Sequence, residues 1–239
     1  MPFRALLDLL FPPLCHCCKA FIPEAGDLFI CAECLKKIHF LVAPFCRACG
    51  TPFGTEEGRD HICGACLIHP PFHTCRSATL FDGPVQELVH RFKYGRRVHL
   101  SQPLGLLTAR ALAPFCEEAA PDLMLPVPLH RKKLRQRGYN QSQLIGAVLG
   151  KEWGVPLELG NLRRIRWTEP QTGLDAADRR GNVSGAFALR DPQRVKGKRV
   201  LLVDDVLTTG STVRSCAKPL REAGAAAIFV VTVARGVQP

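Results

Sequence analysis

One stretch constrains the fold more than any other: residues 199–214, RVLLVDDVLTTGSTVR. Val200, Leu201, Leu202 and Val203 form an apolar run without alternation. Such a run marks a short strand buried on both faces of a parallel sheet. It ends in two adjacent carboxylates, Asp204 and Asp205. A loop of small hydroxyl residues around one glycine follows: Thr208, Thr209, Gly210, Ser211 and Thr212. A helical pattern then runs through Val213, Cys216 and Leu220 to Gly224. Pro219 falls inside it, which predicts a kinked or short helix.

That order has a chemical meaning. Open parallel sheets bind ligands beyond the carboxyl ends of their strands. A loop entering a helix offers free backbone N–H groups and the positive end of the helix dipole, which suits a phosphate. Gly210 lets the backbone come close, and the hydroxyls add donors without bulk. The carboxylates, one step earlier, can accept hydrogen bonds from vicinal hydroxyls such as those of a ribose. A sugar phosphate fits both halves. The stretch is neither a Walker A loop nor a G-x-G-x-x-G turn.

VLLVDDVLTTGST resembles the phosphoribosyl-pyrophosphate (PRPP) signature of type I phosphoribosyltransferases at every defining position. The resemblance implies that Asp204 and Asp205 are the catalytic pair and hold the ribose hydroxyls. It implies a PRPP site running from them through Val206, Leu207, Thr208, Thr209, Gly210, Ser211 and Thr212, with the 5-phosphate cradled by 208–212. A magnesium ion would bridge ribose and pyrophosphate.

The cysteines divide the chain. Ten of the 12 lie before residue 76, and only Cys116 and Cys216 lie after it. Four C-x-x-C pairs occur, Cys15/Cys18, Cys31/Cys34, Cys46/Cys49 and Cys63/Cys66, with gaps of 12, 11 and 13 residues. Each such turn points two sulfurs at one ion, and two turns complete a tetrahedral site. One pair alone reads equally as a redox motif. Four evenly spaced pairs in a module too small for a large core read as two structural zinc sites of four cysteines each. We expect sequential pairing, the first two pairs on one ion and the last two on another; spacing also allows an interleaved arrangement. Cys17 competes with Cys15 or Cys18. His16, His61 and His69 read as solvated side chains, and Cys75 as a free thiol. Gly50 and Gly64 sit beside knuckles, where a tight turn needs freedom.

The net charge is +11. Eight thiolates and two zinc ions would bring this to roughly +7. That balance admits polyanionic partners. No run approaches the roughly 18 apolar residues of a membrane span. The opening MPFRALLDLLFPP carries Asp8 and no cleavage site, so it reads as an amphipathic helix packed on the protein, not a signal sequence. A cytoplasmic location is expected, where structural disulfides are rare.

From about residue 76 strands and helices alternate, so the fold class is α/β: a parallel sheet flanked by helices on both faces, behind an N-terminal double zinc ribbon. Strands are expected at 77–81, 123–127, 157–159, 200–203 and 227–233. Helices are expected at 84–94, 139–153 and 100–116, the last interrupted or ended near Pro114. The domains divide as 1–75 and 76–239. Two loops carry further chemistry. LPVPLHRKKLRQRGYNQ, residues 125–141, offers Arg131, Arg135 and Arg137, with Lys132 and Lys133, to a departing pyrophosphate or to DNA. Residues 162–187 are long, polar and arginine-rich, and form either a lid bringing Arg164, Gln171, Arg179 or Arg180 over the substrate, or a flexible insertion.

Taken together the chain is similar to the ComF family, a double zinc ribbon fused to a phosphoribosyltransferase domain. Lys93-Tyr94-Gly95, P-V-P-L-H, R-G-Y-N-Q, Thr168, Gln171, Leu174, Arg179 and Asn182 fall where that pattern has them. The resemblance implies a part in DNA uptake, with single-stranded DNA and a helicase-like ATPase as partners. It leaves two activities open. One is a phosphoribosyltransferase whose acceptor is unnamed. The other is a non-catalytic protein that grips DNA or the helicase with the same fold.

Overall fold

The protein is described by a computed structural model over residues 12–24, 26–54, 58–67, 70–166 and 185–236. A short helix, α1 (Ala32–Lys36), lies in the N-terminal module. Then follow β1 (Thr74–Leu80), α2 (Gly83–Tyr94), α3 (Ser101–Ala111), α4 (Ala113–Ala119) and β2 (Leu123–Pro126). Next come α5 (Arg131–Arg137), α6 (Gln141–Trp153), β3 (Leu162–Arg164) and β4 (Phe187–Leu189). The chain closes on β5 (Arg199–Leu207), α7 (Ser211–Glu222) and β6 (Ala227–Arg235).

Four strands form one parallel sheet in the order β1-β6-β5-β2. The 157–159 segment joins its β2 edge through a single parallel bridge, Met124 to Leu157. The lack of alternation in β5 has a simple cause: both faces are covered. Leu201 and Val203 pack with Leu88, Ile145 and Val231 on one side. Val200 and Leu202 pack with Leu125, Val230, Cys216 and Leu220 on the other.

Several expectations are refined. β5 does not stop at Val203; its ladder with β6 carries Asp204, Val206 and Leu207 into the sheet. The 100–116 region is two helices that part at Leu112, two residues before Pro114. α7 passes through Pro219 and ends three residues later at Glu222, the proline leaving the Ser215 carbonyl without its ladder donor. The basic 125–141 loop contains α5. The His130 ring accepts the Lys132 N–H at 3.2 Å to start it, and Gly138 at φ +87° ends it.

The N-terminal module is joined to the sheet. Leu41 donates to the Ala78 carbonyl (3.0 Å), and Leu80 donates to that of His39 (2.8 Å). Cys75 donates to Ala48 (2.7 Å). These bonds cover the free edge of β1, which would otherwise invite a foreign strand. β1 itself spans the expected boundary at 75/76. The N-terminal helix expected over the first residues lies outside the described residues. Among the described residues no helix is long and apolar enough to cross a membrane.

Candidate functional site

Every parallel strand ends on one rim, and the acidic pair stands there at the end of β5. Asp204 Oδ1 accepts the Ser142 hydroxyl and the Asp205 N–H, each at 2.9 Å. Asp205 Oδ1 accepts the Val206 N–H at 2.7 Å and the Lys93 ammonium at 2.9 Å. Asp205 Oδ2 is buried with no hydrogen-bond partner. Burial, followed by the charge of Asp205, pushes the Asp204 carboxyl up to about 7. The pair is thus a concentrated acceptor of donors or of a hard cation, with one oxygen still unsatisfied. Oxygen ligands of this kind suit magnesium.

Cations gather around it. α2 delivers Lys93 and α5 delivers Lys133, with Arg137 close to Lys133. Burial, with the cations of Arg137, Arg164 and Lys93, lowers the Lys133 ammonium. Arg137 is buried, donates to Gln141 Oε1 at 2.6 Å and lies 5.5 Å from the Tyr94 ring. Arg131 and Arg135, one turn apart on α5, are exposed. Arg164 sits on β3, over the Phe187 ring and within electrostatic reach of Asp204. A cavity of about 640 Å³ runs from Pro126 at the β2 tip to Arg131, Asn140, Arg163 and Arg164. The segment expected as a lid begins in β3, which pairs antiparallel with β4; Thr168, Gln171, Leu174, Arg179, Arg180 and Asn182 lie outside the described residues.

The hydroxyl loop follows Asp205 within the same rim. Gly210 takes φ +73° as the residue before α7, a conformation open to glycine. Thr209 Oγ1 lies 3.0 Å from Ser211 Oγ and accepts the Ser211 N–H at 3.4 Å. Thr208, Thr209 and Gly210 line a cavity of about 350 Å³.

The far wall of that cavity is a cysteine knuckle. The cysteines sort sequentially. The sulfurs of Cys15, Cys18, Cys31 and Cys34 all lie within 4.8 Å of one another, as do those of Cys46, Cys49, Cys63 and Cys66. A tetrahedral ion with Zn–S bonds of about 2.3 Å separates its sulfurs by roughly 3.8 Å. Cys18–Cys31 and Cys49–Cys63 stand at 3.6 and 3.7 Å, so both sets fit a four-thiolate zinc site. Cys17 stays outside the set, buried, its thiol pushed up to about 12 chiefly by burial. The His16 ring packs on His99 and Phe29, and His61 stacks on Phe53 at 3.8 Å. His69 lies outside the described residues. Gly50 justifies its place, with φ +70° and the Cys75 carbonyl only 2.6 Å from where a Cβ would stand. Gly64 has neither a positive φ nor a neighbour within 4 Å, so it needs no such freedom.

Sequence reasoning did not place two partners of the acids. Lys93 was visible only as part of a K-Y-G tripeptide. Ser142 carries no signal beyond following Asn140, whose side chain caps α6 by accepting the Ser142 N–H at 3.0 Å.

The parallel sheet with its acidic rim, and the paired ribbons before it, define a phosphoribosyltransferase-type domain carrying a double zinc ribbon. The comparisons agree. Residues 6–67 match the double zinc ribbon domain, and residues 112–239 match the phosphoribosyl transferase domain. The chain belongs to the ComF family. It is 33% identical to "DNA utilization protein YhgH" of Salmonella typhi, over 95% of this chain and 99% of that one. It is 32% identical to "Competence protein F" of Haemophilus influenzae, over 86% and 90%. "Competence protein ComFC" of Bacillus subtilis is 24% identical over 84% and 81%. Among solved structures, a glutamine PRPP amidotransferase from B. subtilis aligns at 27% identity and TM-score 0.35, over 54% of this chain and 25% of that one.

Proposed function

We propose that this chain binds PRPP with magnesium at the β5 rim and serves in DNA uptake and natural transformation. The observation that carries the reading is the unsatisfied, buried Oδ2 of Asp205, next to a hydroxyl loop at the same strand end. A buried acceptor without a partner costs about 1–3 kcal/mol, which a ribose hydroxyl would recover. In this reading Asp204 and Asp205 hold the ribose hydroxyls, and residues 208–212 hold the 5-phosphate. Arg137 and Lys133, with Arg131 and Arg135 outside them, receive the pyrophosphate end, and Arg164 approaches from β3. Asp204 and Asp205 offer oxygen ligands to magnesium, which would offset the negative charge of the pyrophosphate. Lys93 already stands at Asp205 as a cation would, and yields or shares that oxygen when ligand arrives. The names of the relatives support the setting in DNA utilisation. The cytoplasm and a helicase-like ATPase partner belong to the same reading.

Calorimetry tests it. PRPP with magnesium should give binding heats that vanish in the Asp204→Ala/Asp205→Ala protein. Identical heats from the two proteins would remove the proposal.

A second reading rests on α5. Its outer face exposes Arg131, Lys132 and Arg135, a phosphate track with no acid among its seven residues. On this reading the chain grips single-stranded DNA without turnover. Affinity should then fall steeply with salt, and charge reversal at Lys132, which the PRPP reading does not use, should weaken DNA binding while leaving PRPP heats intact.

A further inference from the structure

The cavity of about 350 Å³ has two walls from distant parts of the chain. One is the hydroxyl loop, Thr208 to Gly210; the other is the second cysteine cluster with Thr51. Two arginines join the walls. Arg235 ends β6, paired in the ladder with Leu207, the residue that leads into the loop. Its guanidinium donates to the Cys49 carbonyl at 2.7 Å and to the Thr51 hydroxyl, and lies 3.8 Å from Cys49 Sγ. Arg214 stands in the first turn of α7, where its N–H bonds the Gly210 carbonyl at 2.9 Å. Its side chain reaches Cys66 Sγ at 4.0 Å.

Both clusters also receive a backbone N–H on a sulfur, Cys31 to Cys15 and Cys63 to Cys46, each at 3.3 Å. Among the described residues only the second cluster has guanidinium groups against its sulfurs. The first is held through the His16 carbonyl, by Arg91 of α2. Four thiolates on one divalent ion leave a net negative centre, and outer groups that donate to the sulfurs offset it.

We infer that the second four-cysteine centre, and not the first, is thermodynamically linked to occupancy of the hydroxyl loop, with Arg235 and Arg214 as the positioning residues. This rests on reading 208–212 as a phosphate cradle. The cavity exists only while the second ribbon is folded against the loop. Losing its metal requires that ribbon to open, which breaks the arginine contacts and removes one wall. A phosphate ester held between the walls stabilises the closed form, and so slows metal loss. By reciprocity, loss of that metal weakens the ligand.

The test uses the full-length, zinc-loaded chain. Zinc transfer to a chromophoric dye is followed with and without PRPP and magnesium, while calorimetry on the same sample reports PRPP binding. PRPP at saturation should slow one of the two zinc equivalents about tenfold and leave the other unchanged. Arg235→Lys keeps the charge but loses the fork, and should abolish that selective protection. Arg91→Ala should speed only the equivalent that PRPP does not protect. Binding heats with equal protection of both equivalents, with none, or with faster release overturn the linkage alone. Absence of heats overturns the reading of the loop as well.

Discussion

The two cysteine ribbons are built alike and placed differently. In each, the first cysteine donates its N–H to a carbonyl five residues on, Cys15 to Ala20 and Cys46 to Thr51, both at 2.8 Å. In each an antiparallel bridge flanks the knuckle, Leu14 with Phe21 and Phe45 with Pro52. In each a residue with positive φ follows, Lys19 at +66° and Gly50 at +70°. The surroundings then diverge. The first ribbon is built into the main core, with Cys15, Cys17, Cys34 and Ile38 buried in one cluster with Val85, Leu88 and Leu104, and Arg91 of α2 donates to its His16 carbonyl. The second lies on β1 and on the rim, so tightly that only glycine fits at position 50. A metal knuckle brings its own folding energy, so one device can be built into a domain's main core or form the wall of another site.

Removing metal is the strongest way to break this comparison. Structural zinc contributes on the order of 10–16 kcal/mol of apparent folding free energy in small modules. Chelation should therefore unfold both ribbons, while the sheet, with its two-sided core, keeps its far-ultraviolet signal. Loss of the sheet together with the ribbons would show that the edge bonds from His39 and Leu41 to β1 make one cooperative unit.

Gly50→Ala separates the ribbons next. The new methyl would meet the Cys75 carbonyl, and the residue would keep a left-handed φ. We expect a loss of about 1–3 kcal/mol, felt by the second ribbon and by β1. Lys19→Gly is its mirror image. Lys19 holds a positive φ with an exposed side chain, so glycine there should stabilise the first ribbon by roughly 0.5–1 kcal/mol. Metal-retention rates for the two variants check both. Equal and small effects would mean that the second ribbon is no more confined than the first.

What the sequence made legible follows from how local each signal is. The apolar run of β5, the helix under Leu88 and Phe92, and the sequential cysteine sets depend on neighbours a few residues apart, and they stand as expected. The acids within β5 do not read as strand, because aspartate is a poor strand former; the β6 ladder overrides that preference. α5 was hidden among like charges, which suggest a loop; the His130 cap and the Gly138 stop decide otherwise. The pairing of Lys93 with Asp205 and of Arg235 with Cys49 joins residues far apart in sequence, for which periodicity carries no information.

The most selective test is a change of pH, because it acts on ribbons and rim in opposite directions. Cysteines must lose protons to bind metal, so both ribbons weaken as pH falls. Asp204 behaves the other way. Its carboxyl rises from an ordinary 3.8 to about 7 in the fold, so between those values the native state holds a proton that the unfolded chain has released. Its contribution to stability is full below about 4 and is lost as pH rises through about 7. Denaturant unfolding of the metal-loaded protein and of Asp204→Asn, at pH 5 and pH 8, isolates this term. The wild type should lose stability relative to the asparagine variant on going to the higher pH, and PRPP with magnesium should reduce that loss by giving the ionised carboxylate partners. A difference that stays flat with pH would mean that Asp204 carries its charge in the fold without cost, and that the rim is far better solvated than the buried geometry of Asp204 and Asp205 implies.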